Sequence, residues 1–325
     1  MIKEKKINIM TQENNSTFNI QHSSLENLAP IVLFVYNRPD HTKQTVEALQ
    51  KNELAIDSEL FIYSDAAKNE NAEQKVNEVR EYIKNIDGFK KVTIVEREKN
   101  WGLANSIIDG VTKIVNEYGK IIVLEDDLVT SPYLLRFMNE GLEFYKNEEK
   151  VMHITGYSYP IQTNGLDDTF FIKPASCWLW ATWDRAWKYY KKDADYYLSV
   201  FNKKMIYDFN LNNAYRYFDQ IIQNKQGKLN TWAIFWYASV YLQNGLSLHP
   251  KESYVQNIGF DNEGTHCRNT TNFDVAFIKK PKFNFTTEIV ESKNGRKAHE
   301  DFFNSIKVSL YKRVINKLKR IFKLL

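Results

Sequence analysis

Short apolar runs alternate with amphipathic stretches over the first part of the chain. Four apolar runs have the length and continuity of strands buried on both faces: residues 31–36, 60–63, 92–95 and 121–124. Between them, apolar residues recur at helical spacing, most clearly at Ile107, Val111 and Ile114. This alternation predicts an α/β fold with a mostly parallel sheet covered by helices on both faces.

Beyond residue 150 the pattern changes, with more aromatic residues and less regular spacing. No Pro-, Gly- or Ser-rich linker separates the two parts, so we expect two halves of one domain. We assign residues 29–150 to the first half and 151–300 to the second. Residues 1–28 lack an apolar stretch and are expected to form a flexible leader and not a secretory signal. Residues 301–325 are expected to form a basic amphipathic helix.

Polar residues follow three of the predicted strands. They are Asn37-Arg38, Ser64-Asp65 and Glu125-Asp126-Asp127. In open α/β sheets ligands bind beyond the carboxyl ends of the strands. We therefore expect these side chains to converge on a ligand.

The acidic triplet Glu125-Asp126-Asp127 has the strongest chemical character of the three. Adjacent carboxylates repel each other, and hard oxygen ligands favour Mg²⁺ or Mn²⁺. A cation held there would neutralise the charge that develops on a departing nucleoside diphosphate. The alternative is that the triplet stabilises the start of the next helix.

These segments resemble the nucleotide-sugar-binding domain of N-acetylglucosaminyltransferase I and its bacterial relatives, which has a GT-A-type, Rossmann-like fold. The resemblance covers residues 30–268 and is strongest in Phe34-Val35-Tyr36-Asn37-Arg38-Pro39, Phe61-Ile62-Tyr63-Ser64-Asp65 and Val123-Leu124-Glu125-Asp126-Asp127-Leu128. It is weaker in Ser176-Cys177-Trp178-Leu179-Trp180, Asn230-Thr231-Trp232 and Ile258-Gly259-Phe260. It implies a glycosyltransferase that inverts the anomeric carbon.

The resemblance also implies roles for individual residues. Arg38 would bind the diphosphate region of the donor and Asp65 its base. Glu125 and Asp126 would hold the donor sugar and the ribose. Asp127 would be the single direct protein ligand of Mn²⁺ or Mg²⁺.

Residues 259–268 would order over the bound donor as a lid. Trp178, Trp180 and Trp232 would belong to the acceptor site.

One departure from the family concerns the catalytic base. The family places an aspartate just before the tryptophan of the segment Asn230-Thr231-Trp232, and this chain has no carboxylate there. An amide cannot take a proton at neutral pH. Asp184, Asp219 and Asp261 are the candidates to replace it.

Aromatic residues are concentrated between residues 178 and 190. Trp180, Trp183 and Trp187 fall at helical spacing, which predicts core packing for Trp183 and Trp187. For Trp178 and Trp180, core packing and an acceptor-binding role both remain open.

Charge and cysteine content indicate where the protein is located and what it binds. The net charge is +4, and from Phe302 onward the chain has Lys and Arg residues but no Asp or Glu. With apolar residues on its other face, this tail is expected to lie on an anionic membrane surface or to dock on the protein itself. Two isolated cysteines indicate a reducing, cytoplasmic location, and no basic surface for nucleic acid is apparent.

We therefore predict a cytoplasmic, peripherally membrane-bound glycosyltransferase of surface polysaccharide synthesis. It would use a nucleotide-sugar donor, most simply a UDP-sugar, and a glycan or lipid-linked glycan acceptor. A sugar nucleotidyltransferase is disfavoured because the first strand is not followed by a Gly-rich phosphate loop. A non-catalytic carbohydrate-binding protein that lost its base stays open because of Asn230.

Overall fold

The first half of the chain alternates strands with helices, as predicted. The computed structural model describes residue 25 and residues 27–261, 270–278 and 284–307. The elements of the first half are β1 (Ile31–Val35), α1 (Pro39–Gln50), β2 (Glu59–Ser64), α2 (Glu70–Ile83), β3 (Lys91–Glu96), α3 (Leu103–Tyr118) and β4 (Lys120–Glu125). A short 3₁₀ helix, Ala55–Asp57, precedes β2.

The second half has shorter elements. They are β5 (Leu128–Thr130), α4 (Leu134–Phe144), β6 (Val151–Thr155), β7 (Thr169–Ile172), β8 (Trp180–Trp183), α5 (Asp184–Trp187), α6 (Ala194–Val200), α7 (Lys203–Phe209), α8 (Tyr217–Lys225), α9 (Ala233–Leu242), β9 (Leu246–Pro250), β10 (Val255–Asn257) and α10 (Lys293–Ser305).

One eight-stranded sheet takes strands from both halves. Its order is β3-β2-β1-β4-β8-β6-β9-β7. Strands β1, β2, β3 and β4 are all parallel to one another. Strand β8 runs antiparallel to its two neighbours, β4 and β6. A separate antiparallel pair joins β5 to β10. This mixed, mostly parallel sheet flanked by helices confirms the predicted α/β fold class and fits a GT-A-type, Rossmann-like arrangement.

The central strands are buried on both faces, which explains their continuous apolar sequences. In β1, Ile31 and Leu33 pack into the core on one face, while Val32 and Phe34 pack into the core on the other. The apolar stripe of α3 faces the second of these cores. The local pattern is therefore satisfied by burial on both sides of the sheet.

The tryptophan spacing does not reflect one helix. Trp180 and Trp183 are the first and last residues of strand β8, and only Trp187 is helical. Residues three apart in a strand point to opposite faces, so Trp180 and Trp183 pack into different cores. Core packing of Trp183 and Trp187 is confirmed, but the predicted helix is wrong.

The last described helix begins before the predicted boundary at residue 301. Ser292 caps α10, since its hydroxyl accepts a hydrogen bond from Gly295 N at 3.0 Å. Phe302 and Phe303 of this helix are buried against the protein. The proposed membrane-facing segment from residue 308 onward and the leader up to residue 24 lie outside the described residues. Within the described part of the chain, no helix is long and apolar enough to cross a membrane.

Candidate active site

The carboxyl ends of β2, β1 and β4 lie side by side. Val35 pairs with Ser64, and Phe34 pairs with Glu125. The strands are parallel, so the polar residues that follow them reach the same edge of the sheet. The structure thus brings Arg38, Asp65 and the acidic triplet to one edge.

The acidic triplet forms a turn between β4 and β5 that is held by three other elements. Tyr36 N donates to Asp126 Oδ2 at 3.2 Å, and the hydroxyl of Thr45 donates to the carbonyl of Asp126 at 2.9 Å. Ile258 N donates to the carbonyl of Asp127 at 2.9 Å. Helix α4 begins only after β5, so the alternative that the triplet opens the next helix is wrong.

Burial makes the charges of this turn costly. It is the main cause that raises the pKa of Glu125 to about 8, and the carboxylates of Asp127 and Asp126 add to the effect. Burial, then Asp127, raises the pKa of Asp126 to about 7. Burial also raises the pKa of Asp127, although Arg38 and His41 oppose the rise. Such a cluster is suited to bind a cation, which would offset its charge.

Arg38 joins the acidic turn to the segment that follows β10. Its Nη1 donates to Asp127 Oδ2 at 3.2 Å, and its Nη2 donates to Asp261 Oδ1 at 3.0 Å. His41 Nε2 lies 2.9 Å from Asp261 Oδ2. Arg38 Nε is buried and has no hydrogen-bond partner among the described residues. The guanidinium therefore keeps a donor that an anionic ligand can take up.

Gly259 lies against the carboxylate of Asp127. Pairing of β10 with β5 carries residues 258–261 alongside the acidic turn. A Cβ added at Gly259 would clash with the carboxylate of Asp127, so any larger residue here would have to displace that side chain. Gly259 and Asp261 belong to the predicted lid, of which residues 262–268 lie outside the described ranges.

Asp65 organises the loop between β3 and α3. Its carboxylate accepts hydrogen bonds from Trp101 N at 2.9 Å, Gly102 N at 2.8 Å and Asn100 Nδ2 at 3.2 Å. The predicted contact of Asp65 with a base stays a prediction, because the described bonds of its carboxylate go to this loop and to Ala66 N.

Arg97 and Trp101 are site-edge residues that the sequence analysis did not identify. The guanidinium carbon of Arg97 lies 3.9 Å from the centroid of the Trp101 ring, which makes a cation–π contact. Both residues lie beside Asp65, at the carboxyl end of β3. A tryptophan followed by glycine at the start of a helix was the available signal.

The metal expectation rests on Asp127 alone. In the parts of the chain that the structure describes, no group of three or more His, Cys, Asp and Glu side chains could hold a metal ion. The arrangement implied by the resemblance, one protein carboxylate with the remaining ligands from donor and water, does not need such a group. The partly buried carboxylates and their raised pKa values fit a hard divalent cation.

Two candidates for the catalytic base are in the wrong place. Asp184 follows Trp183, which pairs with Lys120 at the start of β4. Glu125 is at the other end of that strand, so Asp184 is roughly 16 Å away along the sheet. Asp219 forms an ion pair with Arg216 at 2.8 Å and lines a separate surface depression on α8.

Asn230 is exposed and accepts a hydrogen bond from Lys192. It has no described contact with the acidic turn. Asp261 is the one of the four that contacts residues of the acidic site.

The tryptophans predicted for the acceptor site divide in the same way. Trp180 and Trp232 are 1% and 3% exposed and stack on each other with ring centroids 5.2 Å apart. They face the core, so their assignment to the acceptor surface is corrected. Trp178 is only partly buried and packs against Phe260, next to Gly259 and Asp261.

The fold and this edge of the sheet define a GT-A-type domain with an acidic turn at the carboxyl end of β4. The model of glycosyl transferase family 2 matches residues 31–204. The chain therefore belongs to glycosyl transferase family 2. The narrower resemblance to N-acetylglucosaminyltransferase I is not confirmed by this match.

Several solved structures are similar to the chain at low sequence identity. One is the mannosyltransferase PcManGT from Pyrobaculum calidifontis in complex with GDP-Man and Mn²⁺, with 8% identity, a TM-score of 0.40 and coverage of 68% of this chain and 70% of that one. S. aureus TarS is 13% identical with a TM-score of 0.29, and the match covers 40% of this chain and 22% of TarS. A TarS fragment, residues 1–349 in complex with UDP, is 13% identical with a TM-score of 0.30 and coverage of 40% and 35%. No curated protein sequence matches the chain.

Proposed function

We propose that this glycosyltransferase moves a sugar from a UDP-sugar to a hydroxyl group of a glycan acceptor, with Mn²⁺ or Mg²⁺ bound and with inversion of the anomeric carbon. The observation that carries the proposal is the partly buried acidic turn at the carboxyl end of β4, faced by Arg38. A nucleotide sugar needs this combination of a cation site and a cationic side chain because its leaving group is a diphosphate.

Each residue of the turn has a distinct role in this proposal. Asp127 would hold the cation, which when bound supplies electrostatic stabilisation of the leaving diphosphate. Arg38 would donate its free Nε–H to the same diphosphate. Glu125 and Asp126 would accept hydrogen bonds from hydroxyls of the donor sugar and the ribose, and Asp65 would contact the base.

Asp261 is the candidate for the general base. Its carboxylate is 35% exposed and is oriented by both Arg38 and His41. A base must lie within hydrogen-bond reach of the hydroxyl it deprotonates, or reach it through one water. Asp261 lies next to the acidic turn, as a base for this site must. Asp184 and Asp219 have no described contact with the turn.

Calorimetric titration of UDP and GDP, each with and without Mn²⁺, tests the donor site. We expect metal-dependent UDP binding by the natural chain that Asp127→Asn abolishes. Asp184→Asn is the matched control, because this carboxylate lies at the opposite end of β4 and should leave binding unchanged. Absence of nucleotide binding under every condition would refute the transferase proposal.

A turnover assay separates sugar transfer from binding alone. The second candidate is a non-catalytic carbohydrate-binding protein, because the segment Asn230-Thr231-Trp232 lacks the aspartate that serves as base in the family. Release of UDP from UDP-sugars should fall about 10²- to 10⁴-fold in Asp261→Asn, with UDP affinity kept and Asp219→Asn unaffected. Donor binding without turnover on any acceptor would favour the second candidate.

A lipid-linked acceptor and a place at the inner face of the membrane belong to the same proposal. They are supported by the basic, acid-free sequence from Phe302 onward. Sedimentation with vesicles that contain anionic lipid tests this. A chain that ends at residue 307 should lose vesicle binding, and unchanged partitioning would refute the membrane role.

A further inference from the structure

An aromatic cavity of about 220 Å³ lies beside the acidic turn. Cys177 and Trp178 line it. They precede Trp180, which pairs with Val123 near the carboxyl end of β4. Trp178 also packs against Phe260 of the segment beside Asp127. The cavity is thus adjacent to the site proposed for the donor.

Two buried histidines line this cavity, and each has one nitrogen without a partner. His249 Nε2 lies 3.0 Å from the carbonyl oxygen of Pro174, and His299 Nδ1 lies 2.8 Å from that of Gly295. Among the described residues, His249 Nδ1 and His299 Nε2 have no hydrogen-bond partner, although each side chain is only 1% exposed. Buried polar atoms of this kind need a partner, and here none comes from the described protein.

The carbonyl partners determine what the free nitrogens can do. A carbonyl oxygen only accepts, so His249 Nε2 and His299 Nδ1 carry the protons. Burial lowers the pKa of His249 well below its ordinary value and that of His299 to about 4, so both rings are neutral at pH 7. His249 Nδ1 and His299 Nε2 are therefore hydrogen-bond acceptors on rings whose centroids are 5.4 Å apart.

The lining selects against ions and against purely apolar ligands. Of the described residues that line the cavity, none is Asp, Glu, Lys or Arg. A charged ligand would lose its hydration without gaining a counter-ion. A hydrocarbon would leave both histidine nitrogens unsatisfied. A neutral ligand that donates hydrogen bonds and has a face for the rings of Tyr159, Trp178 and Phe273 satisfies both conditions.

We propose that this cavity binds a neutral sugar ring of the acceptor, with sugar hydroxyls donating to His249 Nδ1 and His299 Nε2. The volume of about 220 Å³ is smaller than the usual lower limit for ligand-binding pockets, about 300 Å³, so the cavity fits one ring and not an oligosaccharide. The assignment of the bound sugar as the acceptor rests on the proposed transferase function. The binding of a sugar in this cavity does not.

Nitrogen-15 NMR of the histidine side chains tests the proposal directly. The probes are the methyl glycosides of glucose, galactose, mannose, N-acetylglucosamine and N-acetylgalactosamine. At least one should move the resonances of His249 Nδ1 and His299 Nε2, because an unprotonated nitrogen responds when it accepts a hydrogen bond. His153 is the matched control: it is equally buried, but its Nδ1 already accepts from Trp236 Nε1 at 3.0 Å and should not move.

His41 reports on the donor site in the same spectrum, since it contacts Asp261. If UDP with Mg²⁺ moves His41 while no glycoside moves His249 and His299, the cavity proposal is overturned and the transferase proposal stands. If a glycoside moves both histidines while UDP leaves His41 unchanged, the opposite holds. Nitrogens that are already hydrogen-bonded without sugar and unmoved by it would mean enclosed water, which also overturns the proposal.

Paired substitutions provide the second measurement. His299→Gln keeps an acceptor near the place of Nε2, whereas His299→Leu removes it. Loss of one hydrogen bond should weaken glycoside binding about threefold to tenfold in His299→Leu, with partial recovery in His299→Gln. Equal affinity in both variants and the natural chain would overturn the assigned contact.

Discussion

Replacing Glu125 by glutamine should stabilise the cation-free protein at alkaline pH. The glutamine has nearly the same shape but removes one of three crowded carboxylate charges. The unfolded chain exposes Glu125 to water, where its pKa takes the ordinary value of 4.5, whereas the folded value is about 8. The folded state therefore holds a proton that the unfolded state has released between these two pH values.

The sign and size follow from this difference in proton binding. A raised folded pKa contributes stability that is fully present below pH 4.5 and is lost as the pH rises through 8. At 1.36 kcal/mol for each tenfold change in proton affinity, the loss is on the order of 5 kcal/mol. Glutamine cannot lose a proton, so Glu125→Gln should be more stable than the natural chain by up to about that amount at pH 9. At pH 5 the difference should be below about 1 kcal/mol.

Urea denaturation in the presence of EDTA, at pH 5 and at pH 9, measures both differences. Glu98→Gln, at an exposed position, is the control and should change the free energy of unfolding by less than about 0.5 kcal/mol at either pH. Saturating Mg²⁺ should narrow the gap at pH 9, because a bound cation offsets the same charge. Equal stability of Glu125→Gln and the natural chain at pH 9, or the same gain at both pH values, would refute the reasoning.

Three further predictions concern other parts of the structure. Gly259→Ala should weaken metal-dependent UDP binding at least about tenfold while the protein stays folded, because the added Cβ would clash with the carboxylate of Asp127 and must displace it; unchanged calorimetric affinity would contradict this. Arg296→Met should lower the free energy of unfolding by about 3–5 kcal/mol, since Arg296 is paired with Asp208 at 2.9 Å, Glu291 at 3.1 Å and Glu300 at 2.9 Å; the exposed neighbour Lys297→Met should cost under about 1 kcal/mol. Burial lowers the pKa of His299 to about 4, so the neutral ring contributes stability that is present above pH 6.5 and is lost as the pH falls toward 4. In His299→Gln, the fall in the free energy of unfolding over this pH range should be smaller by about 3 kcal/mol. An unaltered slope of stability against pH would contradict this.

The sequence predicts the local parts of this fold well because they follow from periodicity. The strand–helix alternation up to β4 is encoded in short apolar runs, and the parallel pairing then puts their polar ends together. The reversal at β8 has no such signal. Trp180 and Trp183 show helical spacing, but the antiparallel pairing of β8 with β4 determines their positions.

The same distinction decides which carboxylates belong to the site. Asp184, Asp219 and Asp261 are equivalent by residue type, and only pairing between distant segments separates them. Asp184 is carried away because β8 runs antiparallel to β4, and Asp261 is carried in because β10 pairs with β5. These contacts join residues far apart in the chain, so local spacing could not predict them.

The acidic turn is fixed through its backbone, and this leaves its carboxylates for a ligand. Thr45 and Ile258 bind carbonyl oxygens of the turn, and one carboxylate oxygen of Asp126 takes the amide of Tyr36. A turn stabilised by pairing its carboxylates with cationic side chains would be more stable but would have no capacity for a cation. Among the described residues, the guanidinium that contacts this turn is that of Arg38, which is shared between Asp127 and Asp261. The raised pKa values of the turn show that the described protein offsets its negative charge only in part, and the proposed cation would supply the remaining positive charge.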